Sequence, residues 1–254
     1  MDPNTLAPLD PTGRFSDRAA DYVKYRPSYP APVVDAILAG LPLSRGLRAA
    51  DIGAGTGISA RLLADRGLSV IAVEPNRAMR EAAAPDPRIE WREGTAEATG
   101  LADDSLYLVL CAQSFHWFHA ERAVAEFGRV LVRGGRLALV WNRRDGSDPL
   151  TAGYRQAILE VGGETSAERM EFAPEVVARS GPFAPIGRQE FRNFQRLDLD
   201  GLIGRARSAS YVPKQGPASE RLLELLRELH ARYADANGYV TLVYAADVHL
   251  WERR

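Results

Sequence analysis

The sequence predicts an α/β fold, a mostly parallel sheet with helices on both faces, and three observations carry that expectation. Between residues 47 and 141, short apolar runs alternate four times with helix-period stretches, as parallel strand-helix units do. The first run ends in a glycine-rich turn, Asp51-Ile52-Gly53-Ala54-Gly55-Thr56-Gly57, that leads into a helix. The second run ends in a carboxylate, Glu74, nineteen residues after Gly55.

The elements follow in order. Residues 1 to 14 hold three prolines, a glycine and few large apolar groups, which predicts a loosely held arm. From Ser16 to Tyr25, the positions Ala19, Tyr22, Val23 and Tyr25 suit an amphipathic helix that Pro27 and Pro30 stop. Val33, Val34, Ile37, Leu38 and Leu41 mark a second helix. Strands are predicted at Leu47 to Ile52, Ser69 to Val73, Ile89 to Glu93, Leu106 to Cys111 and Arg136 to Trp141. Helices are predicted at Thr56 to Asp65, Asn76 to Ala84 and Ala120 to Val132. Beyond residue 148 strict alternation ends. A helix at Leu150 to Leu159 precedes a Gly- and Pro-marked segment, then a strand at Glu190 to Leu199 that needs a bulge. Leu222, Leu225, Leu226, Leu229 and Tyr233 trace a helix over 219 to 233, and Tyr239 to Val248 reads as a last strand. One domain over 15–254 is expected, with a helical lid at 15–45, a core at 46–145 and substrate-side elements at 146–254.

Composition narrows the function. With 46% hydrophobic and 26% charged residues the chain is neither disordered nor fibrous. Its 32 basic and 33 acidic residues leave a net charge of −1, too little basic excess for a nucleic-acid partner to be expected. The single cysteine, Cys111, excludes an intramolecular disulfide and a multi-cysteine zinc site, and suits a reducing cytoplasm. Neither secretion nor a membrane span is expected, since Met1 to Thr5 lack a basic leader pattern and no apolar run reaches spanning length. A cytoplasmic monomer or homodimer acting on a small molecule is expected.

The glycine turn carries the chemistry. Gly53, Gly55 and Gly57 permit a tight turn and let a ligand lie against backbone N–H groups at a helix start. Glu74, at the end of the second strand, is placed to accept hydrogen bonds from the two hydroxyls of a ribose. An adenosine-type ligand is thereby specified. The third glycine comes one residue too early for a dinucleotide fingerprint, and no Walker-type lysine follows.

A D-x-G-x-G-x-G turn with an acid closing the next strand resembles the S-adenosylmethionine site of class I methyltransferases. Phe15 to Pro30, Gln113-Ser114-Phe115-His116-Trp117-Phe118 and Leu131-Val132-Arg133-Gly134-Gly135-Arg136-Leu137 resemble the type 11 and trans-aconitate methyltransferase-like group. The resemblance implies a Rossmann-like sheet with an antiparallel last strand, and S-adenosyl-L-methionine as cofactor. It puts the methionine part along Asp51, Gly53, Ala54, Gly55 and Gly57, the ribose on Glu74 beside Pro75, and the adenine near Ala96 and Glu97. Gln113 joins the cofactor side, and Tyr22 and Arg26 close over it from the lid, Arg26 facing the methionine carboxylate. Tyr25, Trp117, Phe118 and Arg143 are the acceptor-side candidates, with Arg144 and Trp141 beside them. His116 is the candidate general base, the alternative being a histidine that positions its loop. His119 and Glu121 complete a possible metal cluster with it, but no further ligand supports one and no metal is expected. Methyl transfer to oxygen of a small organic molecule is the expected reaction. An RNA methyltransferase and a non-catalytic cofactor-binding module are the alternatives.

Overall fold

In the computed structural model, residues 19–42, 46–162, 175–209 and 211–254 are described. The expected arm and the Phe15 to Arg18 part of the lid lie outside them. Five strands, β1 (Arg48–Ile52), β2 (Ser69–Val73), β3 (Ile89–Arg92), β4 (Leu106–Ala112) and β5 (Leu131–Arg144), run parallel. With β6 (Phe183–Leu197) and β7 (Val240–Arg253) they form one sheet of order β3-β2-β1-β4-β5-β7-β6. β7 runs antiparallel between β5 and β6, so the last strand has the expected sense.

The central strands are buried on both faces, and neighbouring residues divide between two cores. Ala49, Leu108 and Ala138 face one core, shared with Val33, Val34 and Ile37 of α2 (Ala31–Leu38) and Leu63 of α3 (Ile58–Ala64). Ala50, Val109 and Leu139 face the other, filled by Val124 and Phe127 of α5 (Ala120–Val130). This period-two division is the pleat itself. Between β2 and β3 lies the short α4 (Arg77–Glu81), where the Asn76 side chain accepts from the Met79 N–H at 3.2 Å. A third core joins Tyr154 and Ile158 of α6 (Pro149–Gly162) to Leu242 and Tyr244 of β7.

Three differences from the sequence reading have physical causes. The strand expected from Arg136 starts at Leu131, because Leu131 pairs with Leu106 before a register irregularity. β6 begins at Phe183 and carries its irregularity between Pro185 and Gly187, not inside Glu190 to Leu199. Two unexpected helices appear, α7 (Glu175–Ser180) and α8 (Leu199–Arg207). Gly201 and Gly204 weaken the helical signal of α8, but Asp198 caps it by accepting from the Gly201 N–H at 2.7 Å. The α9 helix (Pro217–Tyr233) packs against α6 and α8.

The strand order reverses between β1 and β4, which opens a crevice at their carboxyl ends. The glycine turn leaves β1 there and Gln113 to Phe118 leaves β4 there. Over this crevice lies α1 (Ala19–Tyr25), packed on α8 where the Tyr25 ring rests directly on Gly204. A Cβ at Gly204 would intrude into that ring. Gly204→Ala should therefore destabilise the protein by about 1–3 kcal/mol and raise protease sensitivity at α1, read by urea unfolding and limited proteolysis. Unchanged stability would mean that α1 does not depend on this contact.

Candidate functional site

The chain turns out of β1 so tightly that a side chain at Gly53 would collide with Ser114, whose Cβ lies 2.7 Å from the position a Cβ would take. Gly53 has φ +67° and Gly55 φ +58°, a region costly for other residues. Gly53 and Ala54 donate to the Val73 carbonyl at 2.9 and 3.2 Å. The decisive bond is the next one, from the Gly55 N–H to Glu74 Oε2 at 2.8 Å. Glu74 Oε1 accepts from the Asn76 N–H at 2.9 Å. Arg80 Nη1 holds the carbonyls of Glu74 and Pro75 at 2.6 and 2.8 Å. Burial raises the pKa of Glu74, and its two N–H donors oppose that rise.

Asp51 lies beneath the turn, wholly buried. Its Oδ2 accepts from Ser59 Oγ at 2.6 Å, while Oδ1 has no partner among the described residues. Burial pushes its carboxyl up to about 7, against the Ser59 and Ala60 hydrogen bonds.

The opposite wall is cationic. Arg26 stacks its guanidinium 4.6 Å above the Tyr22 ring and donates through Nη2 to the Ser208 carbonyl at 2.9 Å. Tyr22 itself borders the glycine turn, 3.6 Å from where a Gly55 Cβ would be. Tyr25 turns away onto α8, and its carbonyl accepts from Gln195 Nε2 at 2.8 Å.

After β4, Gln113 takes φ +58° and donates through Nε2 to the Asn142 carbonyl at 3.1 Å. Then comes a 3-10 turn, Phe115–Trp117. Trp141 Nε1 donates to His116 Nδ1 at 3.3 Å, which assigns the ring proton of neutral His116 to Nε2. Burial first, then the Arg26 charge, lowers the His116 pKa to about 3. Trp117 is tilted 44° against the His116 ring, and Phe118 meets Phe115 edge-on. Ala96 is buried, and Glu97 Oε1 accepts from the His119 N–H at 2.7 Å. The structure thus brings Asp51, the glycines, Glu74, Tyr22, Arg26, Gln113, His116 and Phe118 around one crevice. Arg143 points elsewhere, exposed and ion-paired with Glu190 at 2.6 Å and Asp247 at 3.3 Å. Arg205 and Tyr154 join the cationic wall without having been singled out by sequence. Tyr154 lies in a stretch that reads as an ordinary helix and Arg205 in one where no helix is expected, and only the fold turns them inward.

Comparison with known proteins agrees with this geometry. A family described as "Methyltransferase domain" matches residues 50–139. A Mycobacterium tuberculosis protein named only as a methyltransferase is 33% identical over 251 residues, covering 95% of this chain and 98% of its own. The chain belongs to the S-adenosylmethionine-dependent methyltransferases. A malonyl-[acyl-carrier protein] O-methyltransferase of Geobacter sulfurreducens is 29% identical over 261 residues, covering 91% of this chain and 94% of its own. A type II methyltransferase structure from Anaeromyxobacter dehalogenans shares the fold at TM-score 0.69 and 24% identity, over 90% of this chain and 98% of that one.

The residues of this methyltransferase fit the cofactor chemically. Asp51 presents an unpartnered buried oxygen that an ammonium would satisfy, and a side chain at Gly55 would fill the space between the turn, Met79 and Tyr22. Among the described residues no three His, Cys, Asp or Glu side chains group as metal ligands, and no helix is long and apolar enough to cross a membrane.

Two tests follow. Glu74→Ala should weaken S-adenosylmethionine binding by about 1.5–3 kcal/mol, read by calorimetry; a folded variant of unchanged affinity would remove Glu74 from the site. The Asp51 carboxyl favours its protonated form in the folded state, since about 7 lies above the usual 3.8. Its stabilising effect is full below about pH 4 and lost as pH rises through about 7. Asp51→Asn should therefore stabilise the methyltransferase by about 2–4 kcal/mol at alkaline pH, with the advantage vanishing toward pH 4 in thermal melts. A pH-independent difference would contradict the shift.

Proposed function

We propose that this methyltransferase transfers a methyl group from S-adenosylmethionine to an oxygen of a small organic acid, within the trans-aconitate methyltransferase-like group. The hydrogen bond from Trp141 into His116 Nδ1 carries this reading. With its proton on Nε2 and its pKa near 3, His116 is a poor base at neutral pH but a good donor toward an acceptor oxygen. A carboxylate needs no base, because it reaches the site already ionised. The likeness to the Geobacter malonyl-[acyl-carrier protein] O-methyltransferase supports an oxygen acceptor.

Bound S-adenosylmethionine supplies an electrophilic methyl on a sulfonium. In this reading Gly53, Ala54, Gly55 and Gly57 support its methionine part, with Asp51 toward the ammonium and Arg26 toward the carboxylate. Glu74 keeps accepting capacity on both oxygens for the ribose hydroxyls, and Pro75, Ala96 and Glu97 flank the adenine. Gln113 fixes the loop beside it. The α1 helix forms the lid, where Tyr22 helps exclude water, and α6 and α8 build the acceptor side with Trp117 and Phe118. His116 orients the acceptor by donating from Nε2. Alignment of the two reactants is the main contribution, worth roughly 7–11 kcal/mol where geometry is optimal.

Label from methyl-tritiated S-adenosylmethionine should enter a panel of small organic acids as product that mild alkali releases as methanol, the mark of a methyl ester. Alkali-stable label would point to an ether, amine or carbon product and defeat the assignment. His116→Ala should lower kcat about 10–100-fold with S-adenosylhomocysteine affinity nearly unchanged, and His116→Gln, which keeps an N–H donor, should recover part of it. From about pH 5 to about pH 9 the rate should show no inflection from His116. An inflection near 6.5 abolished by the substitution would restore the general-base role.

A further inference from the structure

Behind Arg26, the cationic wall continues into the third core. Arg205 on α8 is 5% exposed and Tyr154 on α6 is fully buried. The electrostatic neighbours of Arg26 include Arg205, Tyr22, Tyr211 and Arg144. Those of Arg205 are Tyr244, Tyr154, Arg144 and Tyr211. No carboxylate among the described residues pairs with Arg26 or Arg205. Among the described residues Arg205 Nη1 reaches only the Ser208 hydroxyl, at 3.3 Å, and its Nε has no partner. The Tyr154 hydroxyl also has none, while the Arg144 guanidinium lies 5.3 Å from that ring.

Taking a guanidinium out of water without a counter-ion is costly, and neighbouring like charges add to the cost. Such an arrangement is stabilised by an anion that accepts from the orphaned donors. Burial pushes the Tyr154 phenol up to about 12, so it remains a donor. One ligand anion, the methionine carboxylate, is already given to Arg26. Arg205 and Tyr154 lie deeper, on the helices of the acceptor side.

We infer that Arg205 and Tyr154 form a second oxyanion position that holds a carboxylate of the methyl acceptor. This deepens the proposed function and rests on it. It also gives α8 and α6 a role in selecting acidic acceptors over neutral ones of the same shape, since a neutral group would leave the guanidinium unpaired.

The full-length protein, saturated with S-adenosylhomocysteine, should be titrated calorimetrically with succinate, benzoate, the methyl esters of both, and inorganic phosphate. At least one acid should bind at one site per chain while its ester does not. Arg205→Met should weaken that binding at least tenfold, with S-adenosylhomocysteine affinity changed less than threefold. Tyr154→Phe, which removes only the hydroxyl, should weaken it in the same direction, and it serves alone if Arg205→Met does not fold. Three results overturn the inference while leaving the proposed function intact: no acid bound to the saturated protein, acid binding unaffected by the substitutions, or acid bound only in competition with S-adenosylhomocysteine. The last would assign the whole cluster to the cofactor carboxylate. Phosphate bound more tightly than either acid would overturn the carboxylate assignment. Failure to bind S-adenosylhomocysteine at all would remove the proposed function and this inference with it.

Discussion

The Gly55 N–H donating to Glu74 ties together the ends of two adjacent strands, and the geometry of the crevice depends on that bond. The glycines of the turn hold a left-handed backbone. With Gly53 and Ala54 bonded to the Val73 carbonyl, the loop is tied to β2, while the Ser59–Asp51 and Arg61–Thr56 bonds tie it to α3. Backbone donors are thus fixed before any ligand arrives, which is where preorganisation gives most of its benefit.

Electrostatically the crevice has two unlike walls. On the turn side, burial raises the pKa values of Asp51 and Glu74. On the lid side, burial lowers that of Arg26 and empties His116 of charge. Both shifts have one origin, the loss of water around charges whose partners the protein does not fully supply. In the proposed function, a ligand carrying an ammonium and a carboxylate at its ends would reverse both at once.

Legibility in the sequence followed the range of the interactions. β1, β2 and β4 were readable because strands buried on both faces need unbroken apolar runs, and α5 because Val124, Phe127 and Leu131 keep helical spacing. α8 was not, because Gly201 and Gly204 suppress its local signal and Gly204 is there to admit the Tyr25 ring, a partner far away in the chain. The start of β6 at Phe183 escaped for a similar reason, since Pro185 and Gly187 read as turn residues until β7 supplies a pairing edge. In the site, Arg143 and Arg144 are indistinguishable as neighbours in sequence. Strand alternation sends Arg143 to Glu190 and Asp247 on the surface, while Arg144 faces Tyr154.

What the sequence determined alone was the sheet core, the glycine turn and the acid nineteen residues beyond Gly55, because each is encoded in periodicity or in residues whose backbone freedom is itself the signal. What only the tertiary structure decided was the state and company of the side chains. The proton of His116 is assigned by Trp141 across 3.3 Å, and Arg205 comes near Tyr154 only because α6 and α8 share the third core. Such pairings depend on burial and on long-range packing, and neither leaves a period in the chain.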